Sequence, residues 1–428
     1  MADTRAPFAA LRGKTPEDLF GCLATPCYIL DESALRRNGE ILAGVAARTG
    51  CRWLLAQKAF SNYDCYPVLA PYLAGTEASG LFEARLGYET LPEKEVHVFC
   101  GAYREQDFDE LLGYAGHIVF NSPAQLAKFG PRAKAAGKSL GLRINPEKST
   151  QEGHEIYDPC APGSRLGTTR AQWDKQMTRE LVALLDGLHF HTLCEQDSDA
   201  LEVTLEAVAE KFGDVLPQMK WLNMGGGHHV TRPDYDIPRL ERCIRFAREQ
   251  WGVTVYLEPG EAWALNAGFL ASRVLDITEN GGVVNAILDC SAACHMPDVI
   301  EMPYQPPVYG AAPVGSDAHI APVIASGNDA AAERRQEASG DASLRTYRLG
   351  GPSCLSGDVI GDYCFDRPLQ EGDLVLFGDL AIYSTCKNNT FNGMPLPNIY
   401  RRTEDGTLER LTDFSYNDFK MRLGRMKP

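Results

Sequence analysis

The chain has 428 residues, 44% hydrophobic and 23% charged, with 40 Gly and 26 Pro. This composition argues against a disordered, collagen-like or coiled-coil chain. At ~150 residues per domain, the length predicts one large domain with a second module. With 42 basic and 57 acidic side chains, the formal charge of −15 disfavours a nucleic acid partner and favours a cationic ligand. An acidic balance also serves solubility alone.

No apolar run reaches the roughly 18 residues of a membrane-spanning helix, so no membrane association is expected. Charges interrupt the N-terminal stretch MADTRAPFAALRGKTPEDLF, which predicts no secretory leader and a cytoplasmic address. The 13 cysteines have no regular spacing and no CxxC, the pattern of reduced thiols rather than of a disulfide framework. The nearest approach to a metal cluster is Cys290, Cys294 and His295, and no metal is expected.

Along the chain, a strand is predicted first at Thr25–Asp31 (TPCYILD). Eight short β-rich runs follow, at Arg52–Gln57, Thr76–Ser79, Val96–Cys100, His117–Asn121, Leu140–Asn145, Leu188–Thr192, Trp221–Met224 and Val253–Glu258. Helical periodicity lies between them, at Glu83–Leu86, Pro123–Ala136, Ala200–Phe212 and Ile237–Gln250. Ser122-Pro123 is a helix start, and Asp197 or Ser198 a cap. Alternation over about 210 residues predicts an α/β fold with a (β/α)8 TIM-like barrel at residues 32–266. A doubly wound open sheet is the competitor, weakened by the absence of GxGxxG after the first strand. From Ala267 the rhythm changes to short strands divided by Gly, Pro and Asp (FLASRVLDI, GVVNAILD, SLRTYRLGG, DLVLFGDLAIY). These, with the N-terminal strand, predict a mostly antiparallel β domain built from residues 1–31 and 267–428. Residues 311–343 read as a surface insertion, in which Ala330–Ala338 has the composition of a short helix.

Such a barrel carries its active site at the carboxyl ends of the strands. Those ends supply Lys58, Ser79, Asn121, Arg143, His191, Gly225, Gly226, Gly227 and Glu258. A lysine at a buried strand end loses solvation, which frees its amine for Schiff-base chemistry; the alternative is a side chain snorkelling into water. The glycine triplet lets backbone N–H groups approach an anion such as phosphate, or makes a tight turn. Glu258, before Pro259-Gly260, suits a protonated pyridine nitrogen, a metal or a turn. His189 and His191 project to one side of their strand, where one could stack on a ring or both could pack in the core. With His228 and His229 they also raise zinc as an option. In the β module, Cys354 precedes Asp358 by four residues in a glycine-rich loop, as a proton-donating thiol or a buried free cysteine.

Taken in order, the segments TPCYILDE, QKAFS, LFEARLG, LRINPEKS, CAPGSRLG, HFHTLCE, NMGGGHH, LEPGEA, HMPDVIEMPY, GGPSCLSGD and STCKNNTFNG resemble pyridoxal-phosphate decarboxylases of the alanine-racemase-like fold. Within that group the nearer resemblance is to carboxynorspermidine/carboxyspermidine decarboxylases, and it spans Thr25 to Gly393. The resemblance implies pyridoxal 5′-phosphate as cofactor, a homodimer with shared active sites, and decarboxylation of a cationic triamine in polyamine biosynthesis. It implies that Lys58 carries the cofactor, His191 stacks on its ring and Glu258 pairs with the pyridinium nitrogen. Gly225 to Gly227, Gly260 and Tyr383 would surround the phosphate, with Arg143 also on the cofactor side. Cys354 would reprotonate the carbanion across the dimer interface, and Asp358 would help hold the distal amine. The broader group commonly has arginine after EPG; Glu261 here cannot bind phosphate directly but can hold an ammonium group. Glu261 and Asp298 are therefore expected at the substrate's amines. The alternatives are a diaminopimelate- or ornithine-type decarboxylase on the same fold, and a pyridoxal-phosphate binding protein without turnover. A metal-dependent barrel hydrolase is more distant.

Overall fold

The computed structural model describes residues 6–151, 158–314 and 345–425. Two compact units emerge, one of residues 35–265 and one of residues 1–34 with 266–428. In the first unit eight parallel strands close into a barrel: β2 (Arg52–Ala56), β3 (Gly75–Ala78), β4 (Glu95–Phe99), β5 (His117–Phe120), β6 (Ser139–Arg143), β7 (Gly187–His189), β8 (Trp221–Asn223) and β9 (Thr254–Leu257). Closure is made by β2 pairing with β9. Seven of the eight strands fall within about two residues of their expected places; the strand expected at Leu188–Thr192 ends three residues early, at His189. Helix starts follow local chemistry. Ser122 accepts from the Gln125 N–H with Pro123 in the first turn, and Asp236 accepts from the Arg239 N–H. Asp197 accepts from the Ser198 N–H, fixing the start of the helix Ser198–Phe212.

The barrel interior is packed. Leu54, Val119, Trp221 and Tyr256 form one buried cluster, with Phe99 and Ala74 against it. Two glycines make room for the indole of Trp221. A Cβ on Gly187 would lie 2.0 Å from Trp221 Cδ2, and one on Gly141 2.4 Å from Cη2. Register explains the crowding, because Gly141 pairs with Gly187 and Gly187 with Trp221. Trp221 Nε1 donates to Ser139 Oγ at 2.9 Å, so the ring has a fixed orientation.

The second unit is a nine-stranded sheet. Its strands are β1 (Cys27–Asp31), β10 (Gly268–Asn280), β11 (Val283–Leu288), β12 (Ala311–Pro313), β13 (Arg345–Gly350), β14 (Val359–Phe365), β15 (Leu374–Gly378), β16 (Asn398–Arg402) and β17 (Leu408–Arg410). The order is β12-β14-β13-β11-β10-β1-β16-β17, with β15 also on β10. Pairing is mostly antiparallel, with parallel exceptions at β1–β16 and β11–β13. Asp31 and Arg402, both buried, pair at 3.2 Å. The start of the expected insertion is a strand, since Ala311–Pro313 pairs with β14. The remainder of that insertion, with the expected helix at Ala330–Ala338, lies outside the described residues.

Candidate active site

The barrel's carboxyl ends gather charge in an apolar surround. Glu258 follows β9 and is 5% exposed. Its Oε1 accepts from His189 Nε2 and its Oε2 from Asn223 Nδ2, both at 2.9 Å. Burial would raise its pKa, but His189 foremost overcomes that and holds the carboxyl well below the carboxylate range. Glu77, on β3 and also buried, goes the other way: burial and then the negative charge of Glu258 push it well above the usual value. The site thus pushes the proton affinities of two carboxyl groups in opposite directions.

Lys58 is half-buried just past β2, and its charge is felt by Glu77, Glu83, His189 and His191. Burial, then Lys58, depress the His191 ring to about 3, so it is neutral. His191 Nδ1 accepts from the Gly226 N–H at 3.0 Å, which ties the ring to the glycine loop. Arg143 is buried with its guanidinium 4.6 Å from the Phe99 ring centroid, and it donates to the His191 carbonyl at 2.9 Å. Burial lowers this arginine to about 10. This bond ties Arg143 to the backbone of His191.

The glycine loop is a close-approach backbone. Gly225 and Gly227 have φ of 74° and 79°, and a Cβ on Gly227 would sit 2.1 Å from the Leu193 carbonyl oxygen. The Gly225 N–H is used by Asn223 Oδ1 at 2.9 Å. The N–H groups of Gly227 and Gly260 make no hydrogen bond among the described residues. Two unmatched donors on the loops after the seventh and eighth strands, a half-buried lysine and a buried anion fit a phosphorylated aldehyde with a basic ring nitrogen. Glu261 follows Gly260, and its Oε2 meets His229 Nε2 in a short contact.

The other predicted residues belong to the sheet unit. Cys354 is exposed on the loop between β13 and β14. Asp358, 4% exposed, accepts from Ser291 Oγ at 3.0 Å, Ser353 Oγ at 2.6 Å and the Ala293 N–H at 3.3 Å. Two of these donors lie on the segment Ser291–Ala293 and the third, Ser353, on the Cys354 loop, so the carboxylate ties the two together. Asp298 and Glu301 both hold the Lys387 ammonium in short contacts. Tyr383 has a positive φ of 45° in the segment after β15. Cys290 and Cys294 are buried thiols. His295 has both ring nitrogens engaged, Nδ1 with the Ser291 N–H and Nε2 with the Pro395 carbonyl, which removes it as a metal ligand.

Glu77, Glu83 and Asn223 escaped the sequence reading. Glu77 and Asn223 are single polar residues in short strands, and the available signal was that TEAS and WLNM place a polar side chain inside a barrel expected to be apolar; Glu83 lies in the first turn of the helix Leu81–Thr90. Among the described residues, Glu95, His97 and His117 bring potential metal-binding atoms within 4.8 Å of one another. They lie at the strands' amino ends, opposite Lys58. The two imidazoles stack 3.9 Å apart at 9°, so their in-plane lone pairs run side by side rather than converge. Arg52 already neutralises Glu95 at 2.8 Å.

Residues 27–381 match the family model described as pyridoxal-dependent decarboxylase, C-terminal sheet domain. The chain is 40% identical to a carboxynorspermidine/carboxyspermidine decarboxylase from Campylobacter jejuni, covering 94% of this chain and 98% of that protein. It is 39% identical to a carboxyaminopropylagmatine decarboxylase from Synechocystis, covering 94% and 96%. Among solved structures it is similar to carboxynorspermidine decarboxylase from Campylobacter jejuni complexed with norspermidine, at 38% identity and a TM-score of 0.81, covering 94% of this chain and 100% of that one. On the family model and these near full-length relatives, the chain belongs to the pyridoxal-dependent decarboxylases.

Proposed function

We propose that this enzyme releases carbon dioxide from a carboxylated triamine, carboxynorspermidine or carboxyspermidine, in polyamine biosynthesis. The observation that carries this reading is the match to the Campylobacter enzyme across 98% of its length. The ionised Glu258 set among barrel-mouth residues supports it. Pyridoxal 5′-phosphate, when bound, supplies the electron sink for loss of the carboxylate. Lys58 offers the amine that holds it, beside the carboxyl groups of Glu77 and Glu83. Glu258 presents a fixed negative charge to the cofactor's ring nitrogen, and His191, kept neutral, offers a flat face. Gly227 and Gly260 direct N–H groups to the phosphate. Cys354 delivers a proton to the carbon that has lost carboxylate, and the exposure of its loop suits donation from a second copy of the chain, in a homodimer.

For the substrate tail, Asp298 with Glu301 is the favoured acidic site. The group they already hold, Lys387 Nζ, is an alkylammonium like the tail's own amines. Tail binding is then an exchange of one ammonium for another. A cytoplasmic location is proposed as well, since all 13 cysteines are free thiols and no helix among the described residues is long and apolar enough to cross a membrane.

A second reading, decarboxylation of carboxyaminopropylagmatine, is favoured by the Synechocystis relative. Carbon dioxide release from carboxynorspermidine, carboxyspermidine, carboxyaminopropylagmatine and diaminopimelate decides. The two triamines should exceed diaminopimelate in kcat/KM by at least ~100-fold, because the distal carboxylate of diaminopimelate would face the carboxylates of Asp298 and Glu301, and like charges brought together cost several kcal/mol. Comparable rates on diaminopimelate, or a preference for the guanidino substrate, would overturn the first reading.

A further inference from the structure

His229 directly follows the loop that begins with the glycine triplet after β8, and Glu261 directly follows the Gly260 turn after β9. Their side chains join through His229 Nε2 and Glu261 Oε2, so one contact clasps the loops after the seventh and eighth barrel strands. In barrels of this class those two loops commonly build a phosphate site, and here they carry the unmatched N–H groups of Gly227 and Gly260. The clasp is only 12% and 13% exposed. Its backbone is pinned as well: Gln196 N–H donates to the Gly227 carbonyl at 3.0 Å, and Thr231 Oγ1 to the Ala262 carbonyl at 2.8 Å.

The adjacent histidines differ in charge. Burial, then the charge of His229, lower His228 to about 4, and its Nδ1 lies 3.3 Å from the Tyr235 hydroxyl. Burial also opposes charge on His229, but Glu261 outweighs it and raises this ring above its ordinary value. Glu195 adds to that and Arg232 opposes it. With Nε2 committed to Glu261, Nδ1–H is the second donor of the imidazolium.

We propose that His229 is the cationic side chain that binds the cofactor's phosphate, and that Glu261 is its positioning residue rather than a contact for the substrate's amine. The inference rests on the pyridoxal-phosphate reading above and refines it. It replaces the expectation for Glu261, whose carboxylate has a protein cation as its partner. An acidic residue beside a phosphate site is unfavourable alone and becomes useful as the anchor of an imidazolium.

The test uses the full chain freed of cofactor and titrated, without substrate, with pyridoxal 5′-phosphate and with pyridoxal, which lacks the phosphate. A wrong substrate assignment does not alter this titration. Loss of one charge-assisted hydrogen bond should weaken binding of the phosphorylated form by roughly 10–100-fold in His229→Gln. Affinity for pyridoxal should stay within about 2-fold, since the lost bond serves the phosphate alone. Glu261→Gln should move in the same direction, and His229→Arg should restore the preference for the phosphate. Equal losses for both aldehydes, or an unchanged affinity for the phosphorylated one, would overturn the assignment.

Discussion

Replacing Glu258 with glutamine removes a charge while keeping the shape, and the surrounding bonds dictate how the amide must sit. With its nitrogen toward Asn223, two donors would face each other. Turning the Asn223 amide to relieve this would break its bond to the Gly225 N–H, at 2.9 Å. The amide nitrogen must therefore face His189, which has to carry its proton on Nδ1, a buried atom with no partner among the described residues. An unpaired buried donor costs about 1–3 kcal/mol, offset in part because a charge is no longer buried. Glu258→Gln should therefore fold, with urea unfolding showing a loss of no more than about 3 kcal/mol. Catalysis should suffer more. One charge-assisted hydrogen bond to the ring nitrogen, ~1.5–3 kcal/mol, corresponds to roughly 10–150-fold in kcat. Carbon dioxide release from the cofactor-saturated variant is the assay. A kcat within about 2-fold of the parent enzyme, in a variant that folds, would refute the electrostatic role assigned to this carboxylate.

Cys354→Ser should keep the cofactor's absorbance and lose most turnover; equal loss of both would remove the thiol from its proton-donating role. Gly187→Ala drives a methyl into the Trp221 indole and should cost at least ~1–3 kcal/mol in urea unfolding, largely relieved by adding Trp221→Leu; an unshifted midpoint in the single variant would show that the barrel can yield. Burial, then the charge of His97, depress His117 to about 3. Below about 6.5 the unfolded chain takes up a proton that the folded chain refuses, so stability falls as pH drops from 6.5 toward 3. His117→Phe should flatten that fall between pH 7.5 and 5, measured by urea unfolding, and an unchanged slope would exclude this ring as a source. Lys387→Met removes the competing ammonium from Asp298 and Glu301 and should lower KM for the triamine by about 2–5-fold, as expected for a partly exposed ion pair; a raised KM would place the tail elsewhere.

The barrel was legible because its strands are short, apolar and separated by capped helices, as at Ser122-Pro123 and Asp236. Strand β14, VIGDYCF, was missed: Gly361 and Asp362 interrupt its alternation, and its identity comes from pairing with β12 and β13 on either side. The helix Glu32–Thr49 was missed because polar Asn38 and Thr49 share its buried face with Ala34, Leu35, Leu42 and Val45, which masks the helical spacing of the apolar positions. Lys58, His191, Glu258 and the glycine triplet were legible because strand ends face the active side of a barrel. Which carboxylate stands near a cation was not legible. Glu261 meets His229 across 32 positions and Asp298 meets Lys387 across 89, and sequence spacing carries no trace of either pairing.

The central place of β1 in the nine-stranded sheet bears on how the molecule is made. β1 is flanked by β10 and β16, and Asp31 finds Arg402 only 371 positions later. At ~5–20 residues per second, translation leaves this N-terminal strand waiting roughly 20–70 s for its last neighbour. Throughout that interval the ribosome-bound chain presents one apolar ribbon, CYIL, with an unclaimed hydrogen-bonding edge. Premature release upstream of Asn398 would leave that edge permanently open, an invitation to self-association for every truncated copy.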